Sequence, residues 1–187
     1  DRYMVADETS PQQAFARAAK VFSDDDDHAQ RLYDYVSKHW FMFATPLLSN
    51  GGTERGLPIS CFLNYVDDSR EGITEHYTEN AYLSSFGGGI GGSWSEVRAQ
   101  GTRTSKGSES TGVIPFMKVV DAEMLAFSQG ITRRGSYASY LHMSHPEIEE
   151  FLDIRKPTGG DTNRKCLNLH HGVVIPDKFM EIIHLSL

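Results

Sequence analysis

The hydrophobic pattern divides the chain into a helical first part and a mixed second part. From Pro11 to about Phe43, apolar side chains recur at intervals of three and four residues, which is the helical period. We predict two helices there, the first with Ser10 as its N-cap and Pro11 as its first residue. The aspartates of 24–27 fit the start of the second helix, because carboxylates complement the dipole at a helix N-terminus. A divalent-cation site is the alternative interpretation of this run.

From Thr45 onward, short apolar stretches alternate with glycine, proline and asparagine, as in strands and loops around an interior. The predicted strands are 58–66, 91–97 and 167–174, and the predicted helices are 71–84, 113–126 and 145–152. Strands that alternate with helices indicate an α/β arrangement. We therefore expect a helical segment over residues 1–44 and an α/β domain over 45–187. A further helix begins at Asp177 close to the last residue, so we expect the α/β domain to be incomplete at its C-terminal end.

Composition narrows the class of protein. The 187 residues are 39% hydrophobic, which suffices for a core of ordinary size. The first residues lack the basic and apolar blocks of a signal peptide and no stretch of 18 apolar residues occurs, so we expect a cytoplasmic protein without a membrane partner. The net charge of −7 argues against a general nucleic-acid binder, because affinity for the phosphate backbone requires an excess of Lys and Arg.

A dense glycine run is the first candidate for chemistry: five glycines fall between Gly87 and Gly92. A phosphate loop of the Walker type would need a lysine after the last glycine, and a dinucleotide fingerprint would need a strand before the run and a helix after it. Here the predicted order is the reverse. Two interpretations stay open: a plain connection between helix and strand, or a segment whose bare backbone lies close to a ligand.

Two basic clusters are the second candidate. Arg133 and Arg134 stand between glycines in the segment 130–135, and their planar guanidinium groups could bind a phosphate. Arg98 and Lys106 lie in another polar loop that would suit an anionic ligand. The alternative for each cluster is a solvated turn.

The two cysteines are too few for a disulfide scaffold and lack zinc-ligand spacing. Cys61 opens an apolar strand, where a cysteine is most often a small core residue. Cys166 has basic neighbours, which favour a lowered thiol pKa. The adjacent His170 and His171 would face opposite sides of a strand, so we do not expect a metal site there.

Taken in order, these segments resemble the large, catalytic subunit of ribonucleotide reductase, most closely its class I form. Segment 43–53 (FATPLLSNGGT) resembles the entry to the substrate pocket, 57–62 the first barrel strand, 87–91 the glycine segment of the active site, 97–101 the first effector loop and 128–135 the second. The resemblance implies part of a ten-stranded α/β barrel preceded by a short helical segment. It also implies reduction of ribonucleoside diphosphates to deoxyribonucleoside diphosphates.

The same resemblance implies roles for individual residues. Cys61 would be one of two thiols that reduce the 2′-carbon and end as a disulfide. Thr45, Ser60 and Gly89 would contact the ribonucleotide. The residues expected to bind the nucleotide effector, a dNTP or ATP, are Asp68, Ser69, Arg98, Ser105, Gln129, Arg133 and Arg134.

The sequence also departs from the family pattern, because the N-x-C-x-E motif that carries the radical cysteine is absent. The segment around Cys166 has the wrong spacing and lacks the glutamate. We therefore expect this chain to be either an excised fragment or one product of a split gene, with the C-terminal half of the large subunit on another chain. The other expected partners are a metal-containing small subunit that supplies the radical, thioredoxin or glutaredoxin as reductant, and a second assembled large subunit in a homodimer.

We expect this chain itself to bind neither a metal nor another cofactor. Two alternatives remain. One is a fragment of an adenosylcobalamin-dependent reductase, and the other is a non-catalytic nucleotide-binding remnant.

Overall fold

The computed structural model describes residues 3–127 and 134–185. These residues form two compact units, one that ends at Ser60 and one that begins at Cys61. Within the two described ranges, no helix has both the length and the apolar character needed to cross a membrane.

The first unit consists of helices α1 (Pro11–Val21), α2 (Asp26–Ser37) and α3 (Thr45–Asn50). Asp25 caps α2, because its carboxylate accepts a hydrogen bond of 2.7 Å from the backbone N–H of His28. This contact confirms that the acidic run begins a helix. The buried apolar residues of the unit are Phe15, Ala18, Ala19, Val36, Phe43 and Leu48.

Helix α3 is absent from the elements predicted above. Arg17 of α1 holds it: the guanidinium donates hydrogen bonds to the carbonyl of Leu48, at 2.9 Å, and to that of Gly51. These contacts tie the segment after residue 44 to the helical unit. The division between the units accordingly falls at 60/61, sixteen residues after the expected boundary at 44/45.

The second unit alternates strands with helices. Its elements are β1 (Cys61–Tyr65), α4 (Arg70–Ser85), β2 (Gly89–Ser93), α5 (Ile114–Ala126), β3 (Ser136–His142), α6 (Ile148–Leu152), a 3₁₀ turn (Thr162–Arg164), β4 (His170–Val174) and α7 (Asp177–Leu185). The four strands are parallel and lie in the order β1-β2-β3-β4. The unit therefore has the predicted α/β architecture.

One face of this sheet is covered and the other is open. Because the strand order follows the chain order, right-handed crossovers place the connecting helices on the same face. That face holds a core of buried residues, among them Trp94, Met117, Val120, Tyr137, Leu141 and Phe151. On the opposite face, Leu63 is 86% exposed and Tyr65 is 70% exposed. A sheet with helices on one side and an open other side has the arrangement of a barrel wall.

The predicted strand boundaries differ from the observed ones. The expected strand 91–97 is wrong at both ends: β2 begins at Gly89, and after Ser93 the chain turns, with the N–H of Val97 bonded to the carbonyl of Trp94 at 3.1 Å. Strand β3 was not predicted at all. On its helix-covered face the buried Ser139 interrupts the apolar alternation, which weakens the strand signal.

Candidate functional site

A cavity of about 640 Å³ lies between the N-terminus of α4 and the loop 98–112 that follows β2. Its apolar lining comes from Ile73, Tyr77, Val97 and Phe116. Its polar and charged lining comes from Asp68, Ser69, Arg70, Glu71, Thr74, Arg98, Thr104, Ser105, Lys106, Glu109, Ser110 and Thr111. This combination suits a ligand that has one flat apolar part and one charged part.

The N-terminus of α4 faces this cavity. Ser69 caps the helix, and its Oγ accepts a hydrogen bond of 2.9 Å from the N–H of Gly72. The first turn of a helix carries a partial positive charge and N–H groups without helical partners, which favours a bound anion. The Ser69 hydroxyl thus already serves the helix, while the helix terminus adds positive potential to the cavity.

Asp68 and Arg98 form an ion pair in the cavity wall. The Nε of Arg98 donates to the two Asp68 carboxylate oxygens at 3.0 and 2.8 Å, and the Arg98 backbone N–H donates to Oδ1 at 3.2 Å. Each side chain is 33% exposed. Two residues that the resemblance assigned to the effector site are therefore in direct contact. The pair joins the loop after β1 to the loop after β2.

The loop 98–112 folds into a short antiparallel hairpin. Gly101 N–H donates to the carbonyl of Ser110 at 2.9 Å, and Thr104 N–H donates to the carbonyl of Ser108 at 2.7 Å. The tip carries Ser105 and Lys106, and both line the cavity. The structure thus brings Asp68, Ser69, Arg98 and Ser105, all predicted effector residues, into one cavity.

The remaining effector residues are placed differently. Gln129 and Arg133 lie outside the described residues. Arg134 is exposed and does not line the cavity. It precedes β3, whose first residue Ser136 pairs with the first residue of β2, whereas Arg98 follows the end of β2. Because the strands are parallel, Arg134 and Arg98 lie at opposite ends of the sheet.

Cys61 lies at the same sheet end as Arg134. It is exposed at the start of β1, directly opposite Gly89 of β2, and Gly89 in turn lies opposite Ser136 of β3. Parallel register places these three residues on one face, which is the open face of Leu63. The predicted thiol and the predicted glycine backbone are therefore neighbours.

The glycine run serves both as a connection and as a close-packed strand. Gly87 has φ +76° and turns the chain between α4 and β2. Within the strand, a Cβ at Gly91 would lie 3.2 Å from Cε2 of Tyr140, and one at Gly172 of β4 would lie 2.7 Å from its Cε1. The two glycines therefore make room for the Tyr140 ring on the open face.

The other predicted substrate contacts belong to the first unit. Thr45 begins α3 and lines an apolar cavity of about 350 Å³ together with Phe15, Phe43 and Leu48. Ser60 is half-buried and directly precedes Cys61 in the chain. Of Thr45 and Ser60, only Ser60 therefore adjoins the Cys61 thiol through the covalent chain.

Cys166 is fully buried in the core of the second unit. Burial, together with the nearby charge of Asp121, raises the pKa of its thiol to about 12. The expectation that basic neighbours lower this pKa is wrong, because loss of hydration outweighs them. The thiol remains protonated at physiological pH and is unsuited to redox chemistry.

His170 and His171 face opposite sides of β4, as predicted. His170 lies opposite Ala138 on the open face, whereas the His171 ring contacts that of Phe151 at 5.4 Å between centroids. In the described parts of the chain, no three His, Cys, Asp or Glu side chains are arranged to hold a metal ion.

The sequence analysis missed several residues of the cavity and its support. Tyr77 and Phe116 form much of the apolar lining, and the Tyr77 hydroxyl donates to the carbonyl of Phe116 at 3.1 Å. The spacing of Ile73 and Tyr77 on one helix face was an available signal. Glu147 and Arg164 form hydrogen bonds with the backbone of the loop 98–112. The sequence gives no comparable signal for them, because their bonding partners are distant in sequence.

Comparison with known proteins gives the fold a family. The protein-family model for the ribonucleotide reductase barrel domain matches residues 59–185, and the family model for the ribonucleotide reductase all-alpha domain matches residues 1–56. The ribonucleoside-diphosphate reductase large subunit of Invertebrate iridescent virus 6 is 48% identical over 98% of this chain and 18% of that protein. Its counterpart from Invertebrate iridescent virus 3 is 50% identical over 98% of this chain and 28% of that protein.

A solved structure agrees with these sequence matches. The alpha subunit of the class Id ribonucleotide reductase from Actinobacillus ureae superposes with a TM-score of 0.77 and 26% identity, over 99% of this chain and 33% of that one. The four-stranded sheet is thus part of an α/β barrel domain, preceded by an all-alpha segment. The chain belongs to the ribonucleotide reductase large-subunit family. It spans between about a fifth and a third of the length of these relatives.

Proposed function

We infer that this chain is the N-terminal part of a class I ribonucleoside-diphosphate reductase large subunit, which reduces ribonucleoside diphosphates under the control of bound nucleotides. The observation that carries the proposal is the position of Cys61, exposed on the open sheet face directly opposite Gly89. A reducing thiol beside bare backbone gives a substrate sugar room to approach the sulfur.

The chemistry needs two thiols. Reduction at the 2′-carbon removes the hydroxyl as water and replaces it with hydrogen, while two thiols lose two electrons and form a disulfide. Cys61 is suited to one of these roles, but the buried, protonated Cys166 is unsuited to the other. We therefore propose that residues outside this sequence supply the second thiol and the radical cysteine.

The cavity beside α4 is suited to the effector, a dNTP or ATP. The base would pack on Ile73, Tyr77 and Phe116, and the deoxyribose would lie near Asp68. The triphosphate would face Arg98, Lys106 and the positive N-terminus of α4. The apolar and the charged residues that line this cavity all belong to the described part of the chain. Measuring nucleotide binding is therefore enough to test whether this cavity is the effector site.

The two edges of the four-stranded sheet support the proposal of a partner that completes the barrel. Strands β1 and β4 are the edges of the four-stranded sheet, and such edges pair with further strands when a barrel closes. We assign those strands to the C-terminal half of the large subunit, whether it is carried on a second polypeptide or on a longer one. A radical-generating small subunit, thioredoxin or glutaredoxin, and a second large subunit complete the proposed assembly, in the cytoplasm.

The decisive experiment assembles this chain with the remaining large-subunit sequence and its small subunit and measures reduction of ribonucleoside diphosphates. We expect turnover with a dithiol reductant, and we expect the Cys61→Ser variant to lose repeated turnover. Equal turnover by the variant would reassign Cys61 to a structural role. Activity that required added adenosylcobalamin would support the cobalamin-dependent alternative, and nucleotide binding without any reduction would support the non-catalytic one.

A further inference from the structure

A single buried carboxylate accepts hydrogen bonds from backbone N–H groups near both ends of the loop 98–112. One oxygen of Glu147, Oε2, accepts hydrogen bonds from the backbone N–H of Gln100 at 3.2 Å and from that of Val113 at 2.9 Å. Gln100 lies at the start of the hairpin and Val113 directly after its end. Glu147 is 7% exposed, so these bonds are shielded from water.

Arg164 orients this carboxylate and contacts the loop itself. Its Nη2 donates to the other Glu147 oxygen, Oε1, at 3.0 Å, and its Nη1 donates to the carbonyl of Thr111 at 3.1 Å. A second carboxylate, that of Glu150, pairs with the same guanidinium, with 2.6 Å between Nη2 and Oε2. Among the hydrogen bonds of the described residues, none joins the Glu150 side chain to the loop.

The chain is shaped to admit the Glu147 carboxylate. Gly112 has φ +81°, and a Cβ at this position would overlap the carboxylate oxygens of Glu147. The imidazole Nε2 of His145 is hydrogen-bonded to the carbonyl of Val97 at 2.8 Å, and its Nδ1 accepts the N–H of Glu147 at 3.2 Å. Val97 and Gly112 flank the hairpin, so its base is fixed at several points.

We propose that Glu147 is a positioning residue that sets the geometry of the loop 98–112 and thereby the affinity of the adjacent cavity for its nucleotide. The loop supplies Arg98, Ser105 and Lys106 to the cavity, whereas Glu147 itself does not line it. The proposal rests on the proposed function, namely that this cavity takes a nucleotide. Loss of the two buried, charge-assisted bonds would let the loop shift away from the bound ligand.

The test compares Glu147→Gln with Glu150→Gln in the assembled large subunit. Each variant removes a negative charge that pairs with the Arg164 guanidinium, but only Glu147→Gln changes the oxygen that bonds to the loop. We measure the dissociation constants of the four deoxynucleoside triphosphates and ATP, together with the thermal unfolding midpoint. Affinity should fall about tenfold in Glu147→Gln, the effect of about 1.4 kcal/mol, and by less than about twofold in Glu150→Gln.

The outcomes separate this inference from the proposed function. A wild-type protein that binds none of the nucleotides would contradict the nucleotide site itself. Wild-type binding with equal affinity in Glu147→Gln would leave the site standing and overturn the role of Glu147. An equal loss in both variants would also overturn it, because the effect would then follow Arg164 rather than the loop bonds.

Hydrogen exchange of the wild-type protein provides a second measurement that does not depend on a folded variant. Bound nucleotide should slow exchange in peptides that cover 98–113, which include the amides of Gln100 and Val113. Peptides that cover Asn168 and Leu169, whose amides bond to the buried Asp121, serve as the reference. Unchanged exchange in 98–113 on nucleotide binding would overturn the proposal.

Discussion

His76 of α4 and Tyr137 of β3 are joined by a hydrogen bond of 2.8 Å between the imidazole Nε2 and the phenol oxygen. The indole N–H of Trp94 donates to the same oxygen at 3.0 Å, and all three side chains are buried. Burial lowers the pKa of His76 to about 4, so the imidazole is neutral at physiological pH. These hydrogen bonds connect helix α4 to strand β3 next to the cavity.

The contact depends on the absence of a side chain at Gly92. A Cβ there would overlap the Tyr137 hydroxyl and lie 3.0 Å from Cε1 of His76. We expect Gly92→Ala to lower the free energy of unfolding by about 3 kcal/mol, because it overpacks the interior and displaces buried hydrogen bonds. Urea unfolding of the chain measures this loss. Gly159→Ala is the control, since its φ is +77° but its Cβ would meet open space, and we expect a loss of only about 1 kcal/mol. Equal losses would contradict the packing argument.

Glu123 of α5 makes stability depend on pH. Its Oε2 is buried without a hydrogen-bond partner among the described residues, and burial raises its pKa from 4.5 to about 7. The folded chain therefore holds this proton more tightly than the unfolded chain, and stability falls as the pH rises from about 4.5 to about 7. The full shift corresponds to about 3 kcal/mol, and partial exposure reduces it to about 1 kcal/mol.

The Glu123→Gln variant tests this dependence. It should be more stable than the wild type by about 1 kcal/mol at pH 8 and nearly equal to it at pH 4.5. The difference between the two unfolding curves, measured at each pH, cancels the titration of other groups. Glu181→Gln, on the exposed face of α7, should show no such trend. A constant difference across the range would disprove the buried carboxyl effect.

Arg98 should matter more for binding than for stability. Its ion pair with Asp68 is one-third exposed, so Arg98→Ala should change the free energy of unfolding by less than about 1 kcal/mol. Removing a cation from the cavity should weaken binding of a deoxynucleoside triphosphate at least about tenfold in the assembled subunit. Lys156→Ala, which breaks an ion pair with Asp153 away from the cavity, should bind as the wild type does. Equal affinities in all three proteins would remove Arg98 from the site.

The two cysteines should differ sharply in reactivity. Cys61 is exposed, whereas Cys166 is buried with a thiol pKa raised to about 12. In the native chain, an aromatic disulfide reagent should therefore titrate one thiol quickly, and two after unfolding. Cys61→Ser should abolish the fast phase, and Cys166→Ser should preserve it. Two fast thiols in the native wild type would contradict the buried position of Cys166.

Local sequence signals predicted the elements that local physics controls. The helical period and the acidic N-cap gave α1 and α2, and apolar spacing gave α4 and α5 to within one or two residues. The same signals failed for β3, where Ser139 occupies a buried position, and for α3, a short helix held by Arg17. In both cases contacts with distant residues outweigh local preference.

The sequence by itself determined the family and the succession of segments, because the ordered motifs from Phe43 to Gly135 and the helical and strand periods are local properties of the chain. Only the tertiary structure decided which segments meet. Asp68 contacts Arg98 across 30 positions, and Glu147 reaches Gln100 across 47. Such pairs depend on the parallel register of β1, β2 and β3, which places the strand ends, and the loops after them, side by side. No local pattern encodes that register, so the carboxylate beneath the loop 98–112 became visible only in the folded chain.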